Sequence, residues 1–189
     1  PTPLLSVDVS DTIYCDSATV DITMTDGLGL VAGDHSKVYR LTTTTSGGIT
    51  GYTSSGEYPA GTSISDFLVN ATPMVQWVDY QFEARIRDDR SGHVGAYCDL
   101  GTDTTIRIYI NPTPDISVEA IGGRDTICNE DFVDLAITNP NQLIEGIWKY
   151  KLEITYDHPD SIYGTFPVDT IIDNTDDISD TIFNLSQVW

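Results

Sequence analysis

The residues that could do chemistry here are mostly aspartates. Asp88 and Asp89 stand side by side, and Asp173, Asp176 and Asp177 form a second group. Paired carboxylates can serve as general acid and base. Clustered carboxylates can also hold a hard cation such as calcium, or close a turn after a strand. Asp88 and Asp89 end a long alternating run and precede Arg90-Ser91-Gly92, which favours the turn. Calcium is the better functional use for all five, although neither group has EF-hand spacing. Nucleophilic catalysis is not expected. No Gly-x-Ser-x-Gly occurs, and His35 and His93 sit in glycine-rich loops without a nearby candidate nucleophile. The chain reads as a non-enzyme with no cofactor beyond that calcium.

Cys15, Cys98 and Cys128 include no C-x-x-C pair and lie far in sequence from the histidines, so they form no zinc pattern. In an exported chain a Cys15–Cys98 disulfide is expected, which would put the partner of Cys128 past residue 189. In a plain seven-strand sandwich the two cysteines fall at opposite ends, so the linker from Asp88 to Cys98 would have to reach back. Trp77, Trp148 and Trp189 could stack on sugars or pack in a sandwich. Packing is favoured for Trp148. Trp77 falls on the polar face of its strand and both uses stay open.

The elements that must carry these residues are strands. No segment sustains a helical period, whereas period-two alternation recurs. It is longest where Val78, Tyr80, Phe82, Ala84 and Ile86 alternate with Asp79, Gln81, Glu83 and Arg85. Ile106, Ile108 and Ile110 mark a last strand, stopped by Asn111-Pro112 because proline cannot donate to a ladder. About seven strands in ~110 residues is the size of an immunoglobulin-like sandwich.

The pattern then starts again. Asp11-Thr12-Ile13 before Cys15 returns as Asp125-Thr126-Ile127 before Cys128. Val20-Asp21-Ile22 returns as Val133-Asp134-Leu135, Tyr39-Arg40-Leu41 as Tyr150-Lys151-Leu152, and Ile64-Ser65-Asp66 as Ile178-Ser179-Asp180. Asn70 and Asn184 each follow four residues after that aspartate. These recurrences predict a complete repeat over 1–111 and a second over 112–189 that lacks its last strands. The two are expected to stack end to end through Pro112-Thr113-Pro114 as part of a longer exported chain. Pro159–Asp177 shows no clear match to Gly56–Thr62.

Charge narrows the partners. Aspartate and glutamate total 29 against 9 lysines and arginines, a net charge of −20. Nucleic acid is a poor partner, since binding it requires cations to neutralise phosphates. Anionic membrane surfaces are disfavoured for the same reason. No apolar run approaches the ~20 residues that span a bilayer, and the aspartate excess is expected on loops.

Several motifs carry a family likeness. Asn-Pro-Thr-Pro at 111–114, Asp-Thr-Ile-x-Cys, Gly-Glu-Tyr-Pro-Ala-Gly-Thr at 56–62, and Asp88-Asp89-Arg90 followed by Cys98-Asp99-x-Gly101-Thr102-Asp103-Thr104-Thr105 resemble the tandem immunoglobulin-like or PKD-like repeats of Bacteroidota surface proteins. Those include gliding-motility adhesins exported by the type IX system. The resemblance implies an extracellular filament or stalk. Its partners would be neighbouring repeats, with surface polysaccharide or the secretion and motility machinery beyond them. It also implies O-glycosylation at Asp-Ser/Thr followed by an apolar residue or threonine, which occurs at Thr12, Ser17, Thr104, Thr126, Ser161, Thr170 and Thr181. An aspartate closing a turn before a β-branched strand residue produces the same tripeptide without any glycan. The alternative function is a carbohydrate-binding module of a secreted enzyme.

Overall fold

The computed structural model describes residues 2–26, 34–93, 95–98, 100–123, 126–165, 170–173 and 178–185. Every regular element among them is a strand. Two compact units form, one of Pro1–Thr113 with Gln142–Ile144, the other of Pro114–Asn141 with Glu145–Trp189.

The first unit contains β1 (Leu5–Val9), β2 (Ile13–Tyr14), β3 (Ser17–Asp26), β4 (His35–Thr45), β5 (Ile49–Thr50), β6 (Gly56–Pro59), β7 (Ile64–Asn70), β8 (Gln76–Asp88), β9 (Tyr97–Cys98) and β10 (Asp103–Ile110). One sheet runs β1-β3-β7-β5 and the other β2-β10-β8-β4-β6, with β9 added to β8. Pairing is antiparallel except between β2 and β10, which lie parallel. This is an immunoglobulin-like sandwich. Alternation alone shows the long strands. β2, β5, β6 and β9 are too short to carry a period.

Alternation also explains the core, because every second side chain of a strand meets the facing sheet. Val20, Ile22, Ile64 and Leu68 of one sheet pack against Tyr39, Leu41, Val78, Tyr80, Phe82, Ile108 and Ile110 of the other. Each such burial contributes roughly 1.5–3 kcal/mol relative to exposure. The largest fully buried side chains are Tyr39, Tyr80 and Phe82, all on the five-stranded path.

The second unit contains β11 (Ser117–Ala120), β12 (Asp131–Thr138), β13 (Lys149–Leu152), β14 (Ile162–Tyr163), β15 (Thr170–Asp173) and β16 (Ile178–Asn184). Its four-stranded sheet, β11-β12-β16-β14, follows the plan of β1-β3-β7-β5. The registers match as well. Val20, Asp21 and Ile22 lie opposite Asp66, Ser65 and Ile64, and Val133, Asp134 and Leu135 lie opposite Asp180, Ser179 and Ile178. β13 pairs with β15 as β4 pairs with β6: Tyr150 is opposite Ile172 where Tyr39 is opposite Tyr58. So β15, inside the stretch without a sequence match, stands where β6 does. No strand described in the second unit takes the places of β8 and β10.

Candidate functional site

The duplicated registers place one aspartate per unit on an inward position, Asp66 and Asp180, each 5% exposed. Burying a carboxylate is costly unless its oxygens are hydrogen-bonded. Asp66 Oδ2 accepts from Thr53 N at 2.7 Å and Oδ1 from Thr53 Oγ1 at 2.6 Å. The Tyr80 hydroxyl donates to Oδ2 at 2.6 Å. Burial, and then this bond to a carboxylate, push the Tyr80 phenol well above its ordinary pKa. In the second unit Thr165 N and Oγ1 both donate to Asp180 Oδ1 at 2.7 Å. The motif therefore pins a loop threonine beneath a central strand in both units. Asn70 does similar work: Nδ2 donates to Met74 O and Ile110 O, while Oδ1 accepts from Thr72 N and Oγ1. These groups hold the fold. Their inward parity with Ile64 and Leu68 was the available signal, against the expectation that aspartate sits on loops.

The outer face of the larger sheet carries paired charges. Arg107 Nε and Nη2 donate to Asp79 Oδ1 and Oδ2 at 2.6 and 2.7 Å. Its guanidinium also covers the Trp77 ring at 4.2 Å. Trp77 is thus half-buried under a cation rather than a bare stacking platform. Arg87 bridges Glu57 and Asp89 at 2.9 and 2.6 Å. Trp148 is half-buried and lines a small apolar cavity of about 90 Å³ with Pro114, Ile116 and Ile137. That matches its packing role. Trp189 lies outside the described residues.

Where calcium was expected, Asp88 and Asp89 pair with arginines. Arg90 Nε and Nη2 donate to Asp88 at 2.9 and 2.6 Å, and Asp89 accepts from Arg87. The Arg90 guanidinium, then its backbone N–H, hold the Asp88 carboxyl well below the usual range. Guanidinium groups thus contact both Asp88 oxygens and Oδ1 of Asp89. Among the described residues no three His, Cys, Asp or Glu side chains gather into a metal site. Asp176, Asp177 and the side chain of Asp173 lie outside the description.

The Cys15–Cys98 disulfide is also corrected. Cys15, Cys98 and Cys128 are exposed free thiols. Tyr14 is opposite Ile110, which is opposite Gln76, whereas Cys98 is opposite Ile86. The run of β8 from Gln76 to Ile86 spans about 33 Å, and a disulfide needs Cα atoms within about 7 Å.

Of the Asp-Ser/Thr positions, Thr12, Ser17 and Thr126 are exposed, and Thr104, Ser161 and Thr181 half-buried. Thr170 lies in β15 and its side chain falls outside the description. Asp11 Oδ1 accepts from Thr12 N and Ile13 N at 2.6 and 3.2 Å, so this aspartate does close a turn.

No family model matches the chain, and no curated protein does. Among solved structures, the class 5 fimbriae chaperone CfaA matches with 11% identity over 97% of this chain and 87% of its own, at a TM-score of 0.34. A chaperone–tip adhesin complex of CFA/I fimbriae matches with 11% identity over 92% and 84%, also at 0.34. The CsuC–CsuE chaperone–tip adhesion subunit complex of Acinetobacter baumannii Csu pili matches with 9% identity over 97% and 89%, at 0.28. Scores this low carry no weight for function.

Proposed function

We propose that the chain is a pair of repeat modules from a long extracellular adhesin or filament, acting as a spacer that holds a binding tip away from the cell. The observation that carries this reading is the duplicated register, Val20 opposite Asp66 and Val133 opposite Asp180. Two units that repeat their pairing residue for residue are copies of one module, and stacked modules are how chains build length. The large negative charge suits such a chain, since like-charged neighbours stay soluble and apart. The motif resemblance supports a Bacteroidota surface protein of the type IX, gliding-adhesin kind, with neighbouring modules as its first partners. Glycans on exposed Thr12, Ser17 and Thr126 would shield its turns and strand edges.

The carbohydrate-binding-module alternative drew on Trp77, Trp148 and Trp189; the Arg107 guanidinium over Trp77 and the packing of Trp148 weigh against it. Small-angle scattering on the intact chain tests the spacer reading. End-to-end units give an elongated particle; a compact one, with the units side by side, overturns it. Protein from the native host should carry hexose-type mass on the three exposed sites, and an unmodified mass removes the glycan part.

A further inference from the structure

The two units share one plan, yet their interiors are not equally closed. In the first, Val20, Ile22 and Leu41 are fully buried, because β8 and β10 complete the larger sheet beside β4. Val133, Leu135 and Leu152 hold the matching positions in the second and are only half-buried. No strand described there stands in the place of β8.

A hollow beside β13 shows the same difference locally. In the first unit Pro3, Leu5 and Lys37 line a hollow whose further wall is Ala84, Arg85 and Ile86 of β8, leaving about 20 Å³. Pro114, Ile116 and Trp148 line its counterpart in the second, where no β8 wall stands and about 90 Å³ is open.

An open apolar face by itself names no partner. Here the first unit shows what covers it: β8, antiparallel to β4, with Leu41 opposite Phe82 and Tyr39 opposite Ala84. Phe82 also meets the Tyr39 ring edge-on, with centroids 5.6 Å apart. In the second unit β13 puts Tyr150 and Leu152 in the places of Tyr39 and Leu41. The outward residue corresponds too. Arg40 lies opposite Glu83, and Lys151 holds the place of Arg40. The strand that fits is therefore apolar at every second residue, with a phenylalanine against Leu152 and a carboxylate against Lys151.

We propose that the second unit is a strand acceptor. It takes a strand of β8 chemistry from another polypeptide, laid antiparallel to β13 and closing over Val133, Leu135 and Leu152. In such contacts main-chain bonding to a sheet edge supplies strength, and the inward side chains supply selectivity. The proposal rests on the two units being copies of one module, not on their serving as a spacer. Scattering reads the shape of the chain and strand uptake reads its open face, so the two fail separately.

The test is fluorescence anisotropy of a labelled synthetic peptide with the sequence of Gln76–Asp88, titrated with the full chain. Saturable binding is expected, and a scrambled peptide of the same composition should not bind. Phe82→Asp in the peptide, at an inward position, should weaken binding by about tenfold or more, whereas outward Gln81→Ser should change it by less than about twofold. Both changes are in the peptide, so no variant has to fold. Hydrogen exchange with the peptide bound should protect Lys149–Leu152 and leave His35–Thr45 unchanged. No saturable binding, equal binding of the scrambled peptide, or equal effects of the two substitutions would each overturn the proposal. So would protection gained in β4 instead, or a dimer of the chain that the peptide does not dissociate.

Discussion

The Tyr80 hydroxyl reaches across the first sandwich to Asp66, donating to Oδ2 at 2.6 Å. Tyr80 comes from β8 and Asp66 from β7, so one hydrogen bond ties the two sheets together from inside. Thr53 closes the arrangement from the loop between β5 and β6.

Asp66→Ala strips the acceptor from three donors at once, the buried Tyr80 hydroxyl and the half-buried N–H and hydroxyl of Thr53. It should cost about 3 kcal/mol or more, while Tyr80→Phe, which removes one donor and leaves the Thr53 bonds, should cost about 1–3 kcal/mol. Urea unfolding of the full chain, read on the first unit's transition by near-UV circular dichroism, gives both values. Equal losses for the two variants would refute the ranking.

Alkaline pH should expose the same interior. Burial, then neighbouring Tyr58, push the Tyr39 phenol up to about 12, and Tyr80 is raised as well. Free tyrosine in an unfolded chain ionises near pH 10. The unfolded state therefore sheds these protons first, and ionisation favours unfolding. The contribution of Tyr39 is complete below about pH 10 and is lost as pH rises through about 12. Tyr39→Phe should flatten the fall in melting temperature across that window; an unchanged slope would remove the assignment.

Two glycines separate backbone conformation from crowding. Gly51 has φ +88° and a Cβ there would lie 1.9 Å from Phe67 O. Gly47 has φ +111° with nothing within 4 Å. Gly47→Ala should cost about 1 kcal/mol through its φ alone, whereas Gly51→Ala should cost at least twice as much, because a central strand must also shift. Thermal melts of the two variants make the comparison, and a Gly47 loss as large as that at Gly51 contradicts it.

Arg107→Ala should uncover Trp77 with little loss of stability, about 1 kcal/mol, since Arg107 is exposed and Asp79 only half-buried. Acrylamide quenching of tryptophan fluorescence should rise. Quenching identical to the parent would mean the guanidinium does not cover the ring in solution.

Thiol titration of the native, oxidised chain should find Cys15, Cys98 and Cys128 all reactive without denaturant, since each is an exposed free thiol. A bridged Cys15–Cys98 peptide on mass mapping would contradict the strand register that separates them.

The sequence showed the fold wherever packing imposes a period. β8 and β10 were readable because inward side chains must be apolar, and the repeat was readable because Val20-Asp21-Ile22 and Ile64-Ser65-Asp66 are paired neighbours in space. β15 was hidden. An edge strand is held by backbone bonds, which do not dictate side chains, so Thr-Ile-Ile-Asp replaces Gly-Glu-Tyr-Pro without changing the pairing. The inward role of Asp66 was hidden for a different reason: composition reports how many carboxylates there are, not which oxygens find donors. Likewise nothing local to Asp88 announces that Arg90 folds back on it.

β2 and β10 run parallel, joined through Tyr109 N to Thr12 O and Asn111 N to Tyr14 O, both at 2.8 Å. β2 lies near the start of the first unit and β10 near its end. Tension pulling the ends of that unit apart would draw the two strands past each other along their length. Both hydrogen bonds would then be sheared together, instead of peeling one at a time as at a hairpin. This two-residue patch therefore adds a resistance to pulling that is a quantity separate from the unit's equilibrium stability.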